Sequence, residues 1–182
     1  MKKIVLIVGS LRKDSFNRQL AKEIRAMINQ RAEVTLLEYK DVPFMNEDIE
    51  FPAPSSVQRV RLMIQESDAL WMITPEYNYQ IPGVLKNLLD WLSRPLIKRD
   101  WKTGSVMKGK KVTISGVAGK SAAIGARTSL KALLEIMSMN VVGDLGTGFV
   151  LDSAAFSTGK LELDEQSKEK LELQIETLLE II

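Results

Sequence analysis

Five short runs made almost wholly of apolar, often β-branched residues, Lys3–Val8, Glu33–Leu37, Ala69–Thr74, Lys111–Ser115 and Asn140–Val142, recur along the chain and alternate with stretches of helical periodicity. A strand with no polar alternation is buried on both faces, which requires helices above and below the sheet. The intervening stretches supply them. Leu20, Ile24, Met27 and Ile28 line one face of a helix running from Asn17 to about Asn29. Ser55-Ser56-Val57-Gln58 fits a capping box that opens a second helix through Met63 and Ile64. Leu85, Leu88, Leu89 and Leu92 give Gly83–Leu92 a core face, Ala122–Met139 reads as a long helix, and Leu171, Ile175, Leu178 and Ile182 mark a last one over Asp164–Ile182. Asp41–Pro54, with three prolines and four acids, reads as a loop.

Strand–helix alternation of this kind implies right-handed βαβ crossovers, hence an α/β protein of three layers. Five strands fit a five-stranded parallel sheet in the flavodoxin-like order 2-1-3-4-5, and the chain of 182 residues is read as one domain, 1–182. In such a sheet ligands bind beyond the carboxyl ends of the strands, at the switch point beside strand 1. The segments to inspect are therefore Gly9–Phe16, Pro75–Pro82 and Gly116–Ser121.

The composition excludes several chemistries at those loops. The chain has no Cys and no His, which removes thiolate nucleophiles, disulfides, Ser-His-Asp triads and Cys- or His-based metal sites. An enzyme built this way relies on a cofactor. Net charge is +2, unevenly spread, with seven Lys/Arg against one Asp over 94–111 and eight acids against three Lys over 152–182. Trp101 is the one aromatic interleaved with the basic residues, too few for a nucleic-acid surface. No apolar run approaches the ~20 residues of a membrane span, and Ile4–Val8 is too short for a signal-peptide core, so a cytoplasmic protein without membrane insertion is expected.

The first loop, Gly9-Ser10-Leu11-Arg12-Lys13-Asp14-Ser15-Phe16-Asn17, lacks the GxGxxG turn of dinucleotide sites. It offers two hydroxyls, an amide and a guanidinium beside a helix N-terminus, which are donors suited to a phosphate monoester. A helix cap at Ser15 or Asp14 and a surface charge at Arg12 fit the same residues; the position after the first strand favours phosphate. The second loop, Pro75-Glu76-Tyr77-Asn78-Tyr79-Gln80-Ile81-Pro82, is stiffened by two prolines and can wall a planar heteroaromatic ring, although Tyr77 and Tyr79 also fit ordinary half-buried aromatics. The third ends in Gly119-Lys120-Ser121, as a P-loop does, but the required earlier glycine is Ile114, so a phosphotransferase is disfavoured. Ser115, Gly116 and Gly119 permit close backbone approach to a ligand instead. A phosphate at loop one and a ring at loop two together imply FMN.

Ser10-Leu11-Arg12-Lys13-Asp14-Ser15-Phe16-Asn17, Pro75-Glu76-Tyr77-Asn78, Pro82-Gly83, Leu85-Lys86-Asn87 and Asp90-Trp91 resemble the NAD(P)H-dependent FMN reductase family, which includes bacterial quinone and chromate reductases. The resemblance covers about the first 135 residues and departs at Gly119-Lys120, where many relatives carry paired glycines. It implies that Ser10, Arg12, Ser15, Asn17 and the backbone of Phe16 hold the FMN phosphate. Pro75, Glu76, Tyr77 and Asn78 would line the isoalloxazine, with Ser115, Gly116 and Gly119 across from it. It further implies hydride transfer from NADPH or NADH to FMN and onward, by a ping-pong route, to a small-molecule electron acceptor. A flavodoxin-like electron carrier is the alternative; such carriers are usually strongly acidic, unlike this chain at +2. Lys120 and Arg127 are expected at the start of the fourth helix, placed to meet a 2′-phosphate. A homodimer or homotetramer is expected, with Val84–Leu92 and Trp91 supplying apolar surface.

Overall fold

The computed structural model describes residues 1–182. Its sheet runs β1 (Lys3–Val8), β2 (Glu33–Leu36), β3 (Ala69–Thr74), β4 (Lys111–Ala118), β5 (Asn140–Val141) and β6 (Thr147–Val150). The helices are α1 (Phe16–Ile28), α2 (Ser55–Gln65), α3 (Gly83–Ser93), α4 (Ile124–Ile136), α5 (Ser153–Thr158) and α6 (Glu165–Leu179). Strand order is β2-β1-β3-β4-β5, every pairing parallel, as the strand–helix alternation requires.

Alternation along each central strand divides the core in two. Val5, Ile7, Leu70, Met72, Val112 and Ile114 face α2, α3 and α4, whereas Ile4, Leu6, Val8, Trp71, Ile73 and Val117 face α1 and α6. Every residue of β3 is buried, so the switch-point strand sits at the middle of the molecule and its carboxyl end is held from both sides.

Three expectations need correction here. Asn140–Val142 does not fill the far edge alone. The two residues of β5 pair with Lys111 and Val112, the Val142 amide still donates to the Val112 carbonyl at 2.8 Å, the chain leaves the sheet over 143–146, and β6 returns to pair with Ser115–Ala118. The strand Thr147-Gly148-Phe149-Val150 is hidden in the sequence by Gly148 and by Gly146 just before it, and both are obligatory: a Cβ would meet the Ile114 carbonyl oxygen at 1.7 Å at Gly146 and the Ala122 carbonyl oxygen at 2.4 Å at Gly148. Second, α2 has no capping box; Pro54 precedes its first turn, and Gln58 Nε2 donates to the Ala53 carbonyl at 2.6 Å. Third, α3 offers little apolar surface for a partner, because Leu85, Leu88, Leu89, Trp91 and Leu92 all point inward, the Trp91 indole N–H donates to the Pro43 carbonyl, and Val84 alone of its apolar residues is partly exposed. No helix is long and apolar enough to cross a membrane.

Candidate active site

The carboxyl ends of β1, β3 and β4 bring the three loops together. Gly9 lets loop one close on loop two, since a Cβ there would meet Leu85 Cδ2 at 3.1 Å and Pro75 Cδ at 3.3 Å. In loop one, Ser15 caps α1 by accepting from the Arg18 amide at 3.1 Å, so the capping reading of Ser15 holds. Ser10 Oγ accepts from the Arg12 amide at 3.3 Å. Neither hydroxyl donates to another protein group, and the amides of Phe16 and Asn17, in the first turn of α1, have no acceptor. Arg12 is exposed and forms no ion pair; its guanidinium lies 5.5 Å from the centre of the Phe16 ring. No acid occupies the first turn of α1. This donor set, two hydroxyl protons, two amides at a helix N-terminus and an uncommitted guanidinium, suits an oxyanion with several acceptor oxygens.

Asn17 does not belong to that set through its side chain. Its Nδ2 donates to the Val117 carbonyl at 3.0 Å and its Oδ1 accepts from the Val117 amide at 2.9 Å, which clamps α1 to the end of β4. Asn17 is buried on the same stripe of α1 as Leu20, Ala21 and Ile24, a placement visible in its spacing from them.

Loop two is a tight hairpin. Tyr77 and Gln80 exchange both backbone hydrogen bonds at 3.0 Å, and Asn78 and Tyr79 take φ values of 53° and 62°. Positive φ at both central positions is the type I′ geometry, which Asn tolerates and Tyr resists. Tyr77 and Tyr79 are exposed, at 57% and 76%, so the hairpin presents an aromatic-rimmed ledge. Pro75 is buried beneath it.

Glu76 is joined to the third loop by its side chain, a link that sequence reading missed. Its Oε1 accepts from the Ser121 hydroxyl at 2.6 Å and its Oε2 from the Ala126 amide at 3.0 Å. The α4 N-cap residue, Ala123, has no side chain to do this, so Glu76 caps α4 from another loop. Burial raises the Glu76 pKa, but the bonds from Ser121, Ala126 and Gly125, with the Arg127 charge behind them, outweigh it and hold the carboxyl below the usual range. Gly125 permits the approach, since a Cβ there would sit 2.8 Å from the Tyr79 carbonyl oxygen.

A lowered folded-state pKa adds stability that is complete above the ordinary glutamate value and is lost as pH falls through the lowered one. Glu76→Gln is therefore expected to cost about 1 kcal/mol at pH 7, with the difference from the parent shrinking as pH falls below the ordinary glutamate value. Denaturant unfolding across pH checks this; a difference independent of pH would refute it.

The third segment departs most from expectation. β4 runs past the expected end at Ser115 to Ala118, so Gly116 lies within the strand rather than in a loop. Ser115 is fully buried; it accepts from the Trp71 indole N–H at 3.0 Å and donates to Gln174 Oε1 at 3.0 Å, which leaves its hydroxyl unavailable to a ligand at the sheet edge. Gly116 is required for packing, because a Cβ there would lie 2.8 Å from the Thr74 carbonyl oxygen and from Ala123 Cβ. Gly119 has open space around it and Lys120 is exposed beside it. Ala122 and Ala123, at φ 48° and 58°, form a left-handed pair that is held by Ser121, Glu76 and Arg127.

Arg127 is not a surface charge. Buried at 7% exposure, it donates from Nη1 to the carbonyls of Leu145 and Gly146, both at 3.0 Å, and from Nε to the Ala122 carbonyl at 3.2 Å. Desolvation lowers its pKa, with Glu76 opposing. Its spacing from Ala123, Leu130 and Leu134 places it on the core stripe of α4, a signal present in the sequence.

A parallel sheet in this order, with an oxyanion cradle after β1 and a rigid ledge after β3, defines a flavodoxin-like α/β protein whose switch point suits a flavin mononucleotide. The chain belongs to the NADPH-dependent FMN reductase family, whose profile matches residues 2–150. It is 35% identical over 140 residues to a 2-hydroxy-1,4-benzoquinone reductase of a Burkholderia species, spanning 76% of this chain and 74% of that one. It is 30% identical over 178 residues to an NAD(P)H-dependent FMN reductase of Pseudomonas aeruginosa, spanning 97% and 92%. The structure is similar to that of FerB, a flavoenzyme NAD(P)H:(acceptor) oxidoreductase from Paracoccus denitrificans, with TM-score 0.85, 31% identity and coverage of 99% and 96%. The protein is thus an oxidoreductase with FMN as cofactor and a reduced nicotinamide as donor.

Proposed function

We propose that this chain reduces quinone-like acceptors, and with them azo, nitro, chromate or free-flavin acceptors, by a ping-pong reaction in which NAD(P)H leaves before the acceptor binds. The uncommitted donor set of loop one carries this reading, since it matches a phosphate monoester, and the ledge of loop two stands beside it. When bound, FMN supplies the redox chemistry, taking a hydride from the nicotinamide and passing reducing equivalents to the acceptor.

Ser10, Arg12, Ser15 and the Phe16 amide hold the phosphate, and the Asn17 amide adds to them while its side chain stays on Val117. Pro75, Glu76, Tyr77 and Asn78 wall the ring through their backbone, Glu76 fixing that wall to α4. Gly119 keeps the opposite side clear, while Gly116 serves the packing of Thr74 against Ala123. Lys120 is the exposed cation of the third loop and favours NADPH over NADH; Arg127 is committed elsewhere. With no His or Cys in the chain, the proton accompanying acceptor reduction comes from solvent.

In the deciding experiment, purified protein carrying FMN bleaches within seconds on anaerobic NADPH and recovers its colour when a benzoquinone is added afterwards. Parallel double-reciprocal plots against both substrates are expected; intersecting plots would refute the ping-pong order, and failure to bleach would leave only the electron carrier. A homodimer or homotetramer belongs to the same reading, with exposed Ile97 and Trp101 as apolar surface, and a monomer on sedimentation at micromolar concentration would reject it.

A further inference from the structure

The family match ends at residue 150, yet the next segment leans on loop one. α5 is capped at both ends, by Asp152 accepting from the Ala155 amide at 2.7 Å and by Gly159 in the left-handed region. Its Phe156 stays 61% exposed and meets the Phe16 ring edge-on, with centroids 6.0 Å apart and planes at 81°. Gln19 then joins the two segments. Its Nε2 donates to the Asp14 carbonyl at 3.3 Å and the Gly159 carbonyl at 2.8 Å, and its Oε1 accepts from the Leu161 amide at 2.8 Å.

Arg12 has no acidic partner, so the Phe16 ring is what holds its guanidinium over the loop. An exposed arginine loses much rotamer freedom when it engages a ligand, and a ring that already places it reduces that loss. The Phe16 ring is in turn braced by Phe156. We infer that Phe156 is a positioning residue for the flavin phosphate, acting through Phe16 to preset Arg12, with Gln19 keeping α5 against the loop. This rests on the reading of loop one as the phosphate cradle. It gives a segment beyond the reach of the family profile a part in cofactor selection: FMN over the phosphate-free riboflavin.

The test titrates apo-protein with FMN and with riboflavin by flavin fluorescence quenching, for the parent, Phe156→Ala, Phe156→Tyr, Arg12→Ala and the Arg12→Ala/Phe156→Ala pair. Phe156→Ala weakens FMN about three- to tenfold and leaves riboflavin unchanged. Phe156→Tyr restores FMN binding, and adding Phe156→Ala to Arg12→Ala produces no further loss. Thermal unfolding of the apo-variants separates positioning from a general loosening, which would weaken both flavins alike. Equal losses for both ligands, no loss, or additive losses, while Arg12→Ala remains selective for FMN, would overturn the role of Phe156 and leave the cradle standing. An Arg12→Ala protein that does not discriminate between the ligands would overturn the cradle, and this inference with it.

Discussion

Arg12→Ala is expected to weaken FMN about ten- to a hundredfold and to leave riboflavin binding nearly unchanged. The guanidinium is exposed, stacked on Phe16 and without an ion pair, so its removal disturbs no protein contact beyond that ring. What is lost is a charge-assisted hydrogen bond to phosphate, worth about 1.5 to 3 kcal/mol, at about 1.4 kcal/mol per factor of ten. Riboflavin has no group for Arg12 to meet. Because the contact lies at the surface, the FMN advantage should also narrow as salt rises, over concentrations that leave riboflavin affinity flat. Equal losses for the two flavins would mean that Arg12 is only a surface charge and that the phosphate lies elsewhere.

Asn17→Ala should produce the largest loss of stability of any single change at the site. The Val117 amide and carbonyl are both buried and both answered by this one side chain, at 2.9 and 3.0 Å. Truncation leaves the two groups orphaned, a cost of about 2 to 4 kcal/mol, and for a chain of this size the melting temperature should fall by roughly 5 to 15 °C. Hydrogen exchange at the Val117 amide should accelerate in parallel. A fall of less than about 2 °C with that amide still protected would show that β4 holds its end without α1.

Much of the architecture is legible because β1 and β3 are unbroken apolar runs and because Leu20, Ile24, Leu85 and Leu88 repeat at helical spacing. The site is less so, for one recurrent reason. Asn17, Arg127 and Gln174 each sit on the apolar stripe of a helix, and each uses its polar end on backbone around the carboxyl half of β4: Asn17 on Val117, Gln174 on the Ile114 carbonyl, and Arg127 on the carbonyls of Leu145 and Gly146 beside β6. Their chemical types suit a ligand equally well, so residue identity alone assigns two of them to cofactor or substrate. Their phase on the helix assigns them to the core. Gly116 misleads in the same way: it reads as the end of a strand, whereas the strand continues and the glycine marks where Thr74 and Ala123 crowd it. The Glu76 link to α4 joins residues 50 positions apart and has no local signature.

The divided far edge of the sheet bears on how this protein behaves at high concentration. An open parallel sheet exposes two rows of unpaired amides and carbonyls, and a long flat row templates strand addition from another chain. Here one outer strand is four residues and the other is split into ledges of two and four, separated by an excursion that Arg127 holds in place. None reaches the six or seven residues that stacked cross-β growth needs. The break that hides β6 from a reader of the sequence also guards the native chain against fibre formation, and resistance to seeded aggregation should depend on that excursion staying closed.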